Sequence, residues 1–205
     1  MIKTIFFDFD GVLTTDKSGS YTTCKYIQGF IKYLSFEDIL ESYRKHHFDL
    51  LLGYVNHTDI WTDFCKSLGK SIPFDVLTNA FKNPPKNKKI LELCNLLKKK
   101  FKLGVITDNS SDRFNVVKKE MNLCDIFVYY IVSGDIGSRK DNEINFKKAL
   151  EMSNTKPNDR IFIDNNRVNL VVPNKLGFNT IYHDHEKNNI NILINKLNKY
   201  GVSVP

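Results

Sequence analysis

KTIFFDFDGVLT, residues 3–14, decides the fold. The run up to Phe7 is short, apolar and rich in β-branched and aromatic residues, the composition of a buried strand. Asp8 and Asp10 follow at once, and Gly11 allows a tight turn after them. A buried strand that ends in acids delivers charge to the carboxyl edge of a sheet, where open parallel sheets bind their ligands. The same two carboxylates interrupt the apolar start before a signal-peptide core can form.

Outward from this strand, four more runs read as strands: Leu103–Thr107, Phe127–Val132, Arg160–Ile163 and Thr180–Tyr182. Helical periodicity falls at about 86–100, 111–121, 142–152, 167–176 and 187–200. Ser111 and Asp112 are placed to cap the second of these helices, and Gly177 to stop the fourth. Strands alternating with helices imply right-handed crossovers and a mostly parallel sheet with helices on both faces. Residues 16–81 break the alternation. They read as helical, with breaks near Ser35, at Gly53–Asn56 and at Gly69–Pro73, and are rich in aromatics from Tyr21 to Phe74. A structureless loop of that length is uncommon, so the insertion is expected to be a small helical cap whose aromatics mostly pack against one another. The expected fold is α/β: a Rossmann-like parallel-sheet core of residues 1–15 and 82–205, and a cap of residues 16–81.

Composition bounds the function. Of 205 residues, 41% are hydrophobic and 26% charged, the balance of a soluble globular protein. No run of about eighteen apolar residues occurs, so no membrane span is expected and the chain reads as cytoplasmic. Cys24, Cys65, Cys94 and Cys124 are widely spaced with no CxxC pair, which argues against a zinc site or a disulfide framework and for buried thiols. The net charge is +7, with a lysine cluster from Lys82 to Lys102 beside the apolar stripe of Ile90, Leu93 and Leu97. That pattern is a solvated helix face, and without an aromatic platform or zinc finger it predicts no specific nucleic-acid partner. His46, His47, His57, His183 and His185 have no partner at motif spacing, and His183-Asp184-His185 is the one cluster among them.

The residues that end the strands carry the chemistry. The first strand delivers Asp8 and Asp10, the second Thr107, Asp108 and Asn109, and the fourth Asp164, Asn165 and Asn166; the loop after the third brings Arg139 and Lys140. Carboxylates, a hydroxyl and a cation on one edge suit phosphoryl transfer. One carboxylate attacks phosphorus. A second protonates the leaving oxygen and then deprotonates water. Magnesium takes oxygen ligands and screens the repulsion between nucleophile and phosphate, while a lysine and a hydroxyl hold the remaining oxygens.

Four motifs in order resemble those of the haloacid dehalogenase-like hydrolases: DFDGVLT (8–14), VITDN (105–109), SRKDNEINF (138–146) and IFIDNNRVN (161–169). The resemblance implies Asp8 as nucleophile, Asp10 as general acid/base, and Thr107, Asp108 and Lys140 as the phosphate-binding group. It also implies Mg2+ held among Asp8, Asp10, Asp164 and Asn165. Prolines common after the family's lysine are absent here; the spacing to Phe146 favours Lys140 over Arg139. The fourth motif commonly carries two consecutive acids, whereas this chain has Asp164-Asn165, which leaves either as the metal ligand. The cap between the first and second motifs resembles the family's type 1 arrangement, which closes over small substrates. The expected activity is hydrolysis of a small phosphorylated metabolite through an aspartyl-phosphate. Alternatives are a phosphomutase on the same residues and a binding or regulatory protein that has kept the fold.

Overall fold

The computed structural model describes residues 1–204. Five parallel strands, β1 (Thr4–Phe7), β2 (Lys102–Thr107), β3 (Tyr129–Val132), β4 (Arg160–Asp164) and β5 (Asn179–Tyr182), lie in the order β3-β2-β1-β4-β5. The chain order reverses on either side of β1, so the switch point that binds ligands in such sheets lies at the end of the strand carrying Asp8. Alternation sorts each strand between two faces. Ile5, Phe7, Leu103, Val105, Ile161 and Ile163 join one cluster, with the apolar stripes of α6 (Lys88–Leu97), α7 (Ser111–Glu120) and α11 (Ile190–Asn198). Phe6, Ile106 and Phe162 join the other, with Phe146 of α9 (Ile144–Ser153). Gly104 in β2 makes room for Phe6, because a Cβ there would sit 2.5 Å from its ring.

Between β1 and α6 run five helices: α1 (Gly19–Phe30), α2 (Phe36–Arg44), α3 (His47–Leu51), α4 (His57–Ser67) and α5 (Phe74–Lys82). Of these, α1, α2, α4 and α5 share a cluster of their own that includes Cys24, Ile39, Tyr43, Trp61, Phe64 and Leu77. The two connections to the sheet are stitched together by a bridge between Thr14 and Lys86 and by the Thr15 N–H bonding the Pro85 carbonyl at 2.9 Å. Ser35 caps α2 by accepting the Asp38 N–H, and Gly53 and Gly69 both adopt positive φ at the breaks.

Several details differ from the sequence reading. Tyr26, Phe30, Tyr33, Phe48, Tyr54 and Phe74 are exposed, on the outer sides of α1 to α5 or in the breaks between them, although Phe74 keeps an edge contact with Trp61. Cys124 is exposed, because the short turn Leu123–Asp125 turns Leu123 inward instead. The helix expected over 167–176 is a turn at Arg167–Leu170 followed by α10 (Val171–Lys175). Pro173 has no N–H to bond the Asn169 carbonyl, so a helix cannot run through it unbroken. The last helix starts at Ile190 rather than 187, because Asn188 is left-handed and Asn189 caps the N–H groups of Asn191 and Ile192. The cap of α7 falls at Ser110 rather than Ser111 or Asp112. Among the described residues, no helix is long and apolar enough to cross a membrane.

Candidate active site

A cavity of about 270 Å³ opens at the carboxyl ends of β1, β2 and β4, roofed by residues of α1 to α4. Its floor starts at Asp8. Beyond β1 the chain makes one wide turn over Phe9–Leu13 that leaves helical geometry at Asp10 (φ −74°, ψ 128°) and Gly11 (φ +79°). Glycine is required at position 11 twice over: for the positive φ, and because a Cβ would lie 2.0 Å from the Asn165 amide. The turn aims the Phe9 N–H at Asp8 Oδ1, 2.7 Å away.

Lys140 Nζ lies 2.8 Å from Asp8 Oδ1 and 2.8 Å from Asp164 Oδ2, and all three side chains are buried. Burial raises the Asp8 carboxyl well above the usual range, the nearby Asp164 charge adds to this, and Lys140 opposes it. Burial also works against the charge of Lys140, but Asp164, Asp8 and Asp108 outweigh it and hold the ammonium above its ordinary value. One ammonium is shared by two carboxylates, so the floor has room for another cation. Asp164 is saturated: besides Lys140 it accepts the Asn166 N–H at 2.6 Å and the Asn169 amide at 3.1 and 3.2 Å. Arg139, the other candidate for the phosphate-binding cation, also lines the cavity, but it pairs with Asp108 and Asp141, at 3.6 and 3.7 Å, and not with Asp8.

Asp10 is held differently. Both its oxygens receive Arg113, Oδ2 from Nη1 and Oδ1 from Nη2, each at 2.9 Å, and the Asn109 amide adds a contact at 3.3 Å. Arg113 is buried beneath the start of α1, where Gly19 leaves room for it; a Cβ there would sit 2.4 Å from the guanidinium. Burial works against the Arg113 charge, yet Asp10 more than compensates and raises it. Sequence reasoning missed Arg113. The signal was there: a cation in the first turn of the helix that leaves the ligand edge, six positions after Thr107.

His57 was missed too, and it is not a packing histidine without partners. It is buried at the first turn of α4, where its N–H and Nδ1 bond Asp112 of α7 at 2.8 and 2.9 Å and its Nε2 meets the Tyr43 hydroxyl. Burial opposes the charge of Asp112, but the bonds from His57 hold its carboxyl below the usual carboxylate range. This pairing joins the helical insertion to the residue beside Arg113. No spacing rule reveals it, because its partners are fifty-five positions apart. At the other cluster, His183 bonds Asn188 at 3.2 Å.

Two expected phosphate ligands are placed otherwise. Thr107 is buried and does not line the cavity, since it shares the strand face of Leu103 and Val105. Asp108 lines the cavity, but its carboxylate accepts the Lys140 N–H at 2.9 Å and so fixes the lysine loop rather than presenting a donor to an anion. Burial is the main cause of its raised pKa.

For a metal, among the described residues no three His, Cys, Asp or Glu side chains converge. The donors that do converge are of another kind. One end of the Asn165 amide lies 3.2 Å from the Asp10 carbonyl oxygen and 3.3 Å from Asp8 Oδ2. With nitrogen at that end the amide donates to both oxygens. With oxygen there, three oxygens from two strands meet at about the 3 Å spacing of octahedral ligands around magnesium. Asp10 faces this point through its main-chain carbonyl, and of the Asp164-Asn165 pair it is the Asn165 side chain that reaches it.

A family model described as haloacid dehalogenase-like hydrolase matches residues 2–170. No curated protein matches the sequence. Solved structures share the fold. A HAD family enzyme from Bacteroides thetaiotaomicron is 19% identical, covers 94% of this chain and 98% of its own, and has a TM-score of 0.72. The wild-type form of that enzyme in complex with magnesium and inorganic phosphate is also 19% identical over 90% and 96%, with a TM-score of 0.68. An L-2-haloacid dehalogenase from Xanthobacter autotrophicus is 15% identical over 89% and 77%, with a TM-score of 0.67. The match over most of its length, on a fold that gathers the four motifs at one sheet edge, shows that this chain belongs to the haloacid dehalogenase-like hydrolases.

Proposed function

We propose that this hydrolase is a magnesium-dependent phosphatase that cleaves a small phosphate monoester through an aspartyl-phosphate on Asp8. The observation that carries the reading is the Asp8 carboxylate itself. Its Oδ1 is fixed by the Phe9 N–H and the Lys140 ammonium, while Oδ2 faces the cavity with only the Asn165 amide beside it. A nucleophile oriented through one oxygen needs no reorganisation to attack through the other.

A carboxylate oxygen of Asp8 forms a bond to phosphorus as the ester P–O bond breaks. Asp10 gives its proton to the leaving alkoxide, then takes a proton from the water that attacks the acyl-phosphate, which returns Asp8 to carboxylate and releases phosphate. In the resting arrangement both Asp10 oxygens are engaged by Arg113, so this pair must open before Asp10 reaches a leaving group. The start of α1 packs on Arg113, which ties that opening to movement of the helical insertion. Lys140 stabilises charge on the phosphoryl oxygens. Asp8, the Asp10 carbonyl and Asn165 would hold Mg2+, which when bound supplies positive charge between nucleophile and phosphate. Asp10, once released from Arg113, supplies the proton that an oxygen leaving group needs and a halide does not, so the site suits ester hydrolysis over loss of a halide.

The test is phosphate release from a panel of small phosphate monoesters, with magnesium and with chelator. Release that requires magnesium is expected. No release from any member, or release unaffected by chelator, would contradict the reading.

A further inference from the structure

The cations of the floor are engaged: Lys140 by Asp8 and Asp164, Arg113 by Asp10. The facing wall is not so arranged. It is built from Arg44 at the end of α2, His47 at the start of α3, and Arg139 from the loop after α8 (Ser133–Ile136). Among the described residues, Arg44 has no carboxylate within 4.0 Å. Arg139 approaches Asp108 and Asp141 only at 3.6 and 3.7 Å, and its buried Nε has no hydrogen-bond partner among the described residues. Burial, Arg139 and Arg44 together lower the pKa of His47, so both guanidiniums act on one imidazole.

This gathering is built into the fold. The corner from Arg44 to Gly53 is docked on the loop that carries Arg139. A Cβ on Gly53 would lie 2.1 Å from the Gly134 carbonyl oxygen, so only glycine permits the approach, and the Phe48 ring lies 4.9 Å from the Arg139 guanidinium. Asp108 and Asp141 balance Arg139 only at a distance and Arg44 has no carboxylate partner, so an anion that joins Arg44, His47 and Arg139 gains charge-assisted bonds that the wall does not make within itself. At about 270 Å³ the cavity is near the lower end of the roughly 300–1,000 Å³ usual for ligand pockets, so a small molecule seated on Asp8 also meets this wall.

We propose that Arg44, His47 and Arg139 form a second anion subsite, so that the preferred substrate is a small phosphate monoester bearing a further negative group, a carboxylate or a second phosphoryl group. The proposal rests on the phosphatase reading for the reacting phosphate, but its binding half can be tested without turnover.

Two matched pairs probe it: glycerol 3-phosphate against 3-phosphoglycerate for the carboxylate, and fructose 6-phosphate against fructose 1,6-bisphosphate for the second phosphoryl group. The readout is the ratio of kcat/KM within each pair, for wild type, Arg44→Gln and Arg139→Gln. Charge-assisted bonds predict a wild-type preference of about 10- to 100-fold for the doubly anionic member of at least one pair, falling by about tenfold in each variant. Which pair shows it distinguishes the two sources. Ratios that are the same in wild type and in folded variants overturn the subsite. Calorimetric binding of the same four compounds to Asp8→Asn, with and without Arg44→Gln, separates the two readings. If wild type releases no phosphate yet Asp8→Asn binds a doubly anionic member more tightly and loses that preference with Arg44→Gln, the phosphatase reading fails and the subsite stands. Equal binding within both pairs removes the subsite whatever the turnover.

Discussion

The floor and the roof of the cavity are held in opposite ways. On the floor, Asp8, Lys140 and Asp164 are buried and cross-linked at 2.8 Å, and a main-chain N–H bonds each of the two carboxylates. On the roof, Arg44 is exposed and His47 half-buried, and neither is held by a carboxylate. Preorganised charge suits the reacting atoms, where reorganisation during the reaction is costly. Loosely held charge suits the part of a site that selects among ligands. The proposed chemistry lies on the tightly held sheet edge, and the proposed choice of substrate on the looser wall of Arg44, His47 and Arg139.

Substitutions on each side sharpen that contrast. After Asp8, the largest effect expected on rate is at Asp10: Asp10→Asn should slow hydrolysis of alkyl phosphates by about 10²–10⁴-fold, and of p-nitrophenyl phosphate far less, because a good leaving group needs little protonation. Equal losses on both esters, measured as kcat/KM, would make Asp10 a partner for Arg113 and nothing more. Next is Lys140→Met, which strands two buried carboxylates. It should lower unfolding free energy by about 3–5 kcal/mol in denaturant titration. The roof counterpart Arg44→Met should stay within about 0.5 kcal/mol, and similar losses for the two would erase the distinction drawn here.

His57 sits where floor and roof meet. His57→Leu takes the Nδ1 bond from Asp112 and leaves the Tyr43 hydroxyl without Nε2, and should cost about 1–3 kcal/mol. Because the folded Asp112 pKa lies below its unfolded value, its contribution is present above about pH 4 and is lost as pH falls toward the folded value. The stability difference between wild type and His57→Leu should therefore narrow on acidification, and a gap that is constant with pH would remove Asp112 from the account. The last substitution is at the proposed magnesium site. Asn165→Asp restores a full charge beside Asp8 and should tighten magnesium binding by about tenfold in calorimetry; an unchanged affinity would move the ion away from Asn165.

Much of the floor was legible in the sequence because it is written by strand ends. A buried parallel strand has little freedom in where its last residue lies, so Asp8, Asp164 and the turn at Gly11 could be placed from apolar runs and a glycine alone. Lys140 followed from its spacing to Phe146, which packs in the core beside Phe162. Side-chain direction was harder. Thr107 ends its strand as expected but is buried and does not line the cavity, and Asp10 turns its carbonyl toward Asn165 while Arg113 takes its carboxylate. The roof was hardly legible. That Arg44, His47 and Arg139 share one wall depends on how five helices pack and on the approach of Gly53 to Gly134, and neither leaves a periodic mark.

The central claim is that Asp8 carries the phosphoryl group, and trapping that group tests it most directly. Wild-type protein mixed with magnesium and a turned-over phosphate monoester, quenched in acid and digested, should yield the Asp8-containing peptide bearing one phosphoryl group by mass spectrometry. The same treatment of Asp8→Asn should yield none, with phosphate release reduced by at least about 10⁴-fold. Phosphate release by Asp8→Asn at a rate near wild type, with no phosphoryl group ever recovered on the wild-type Asp8 peptide, would contradict it.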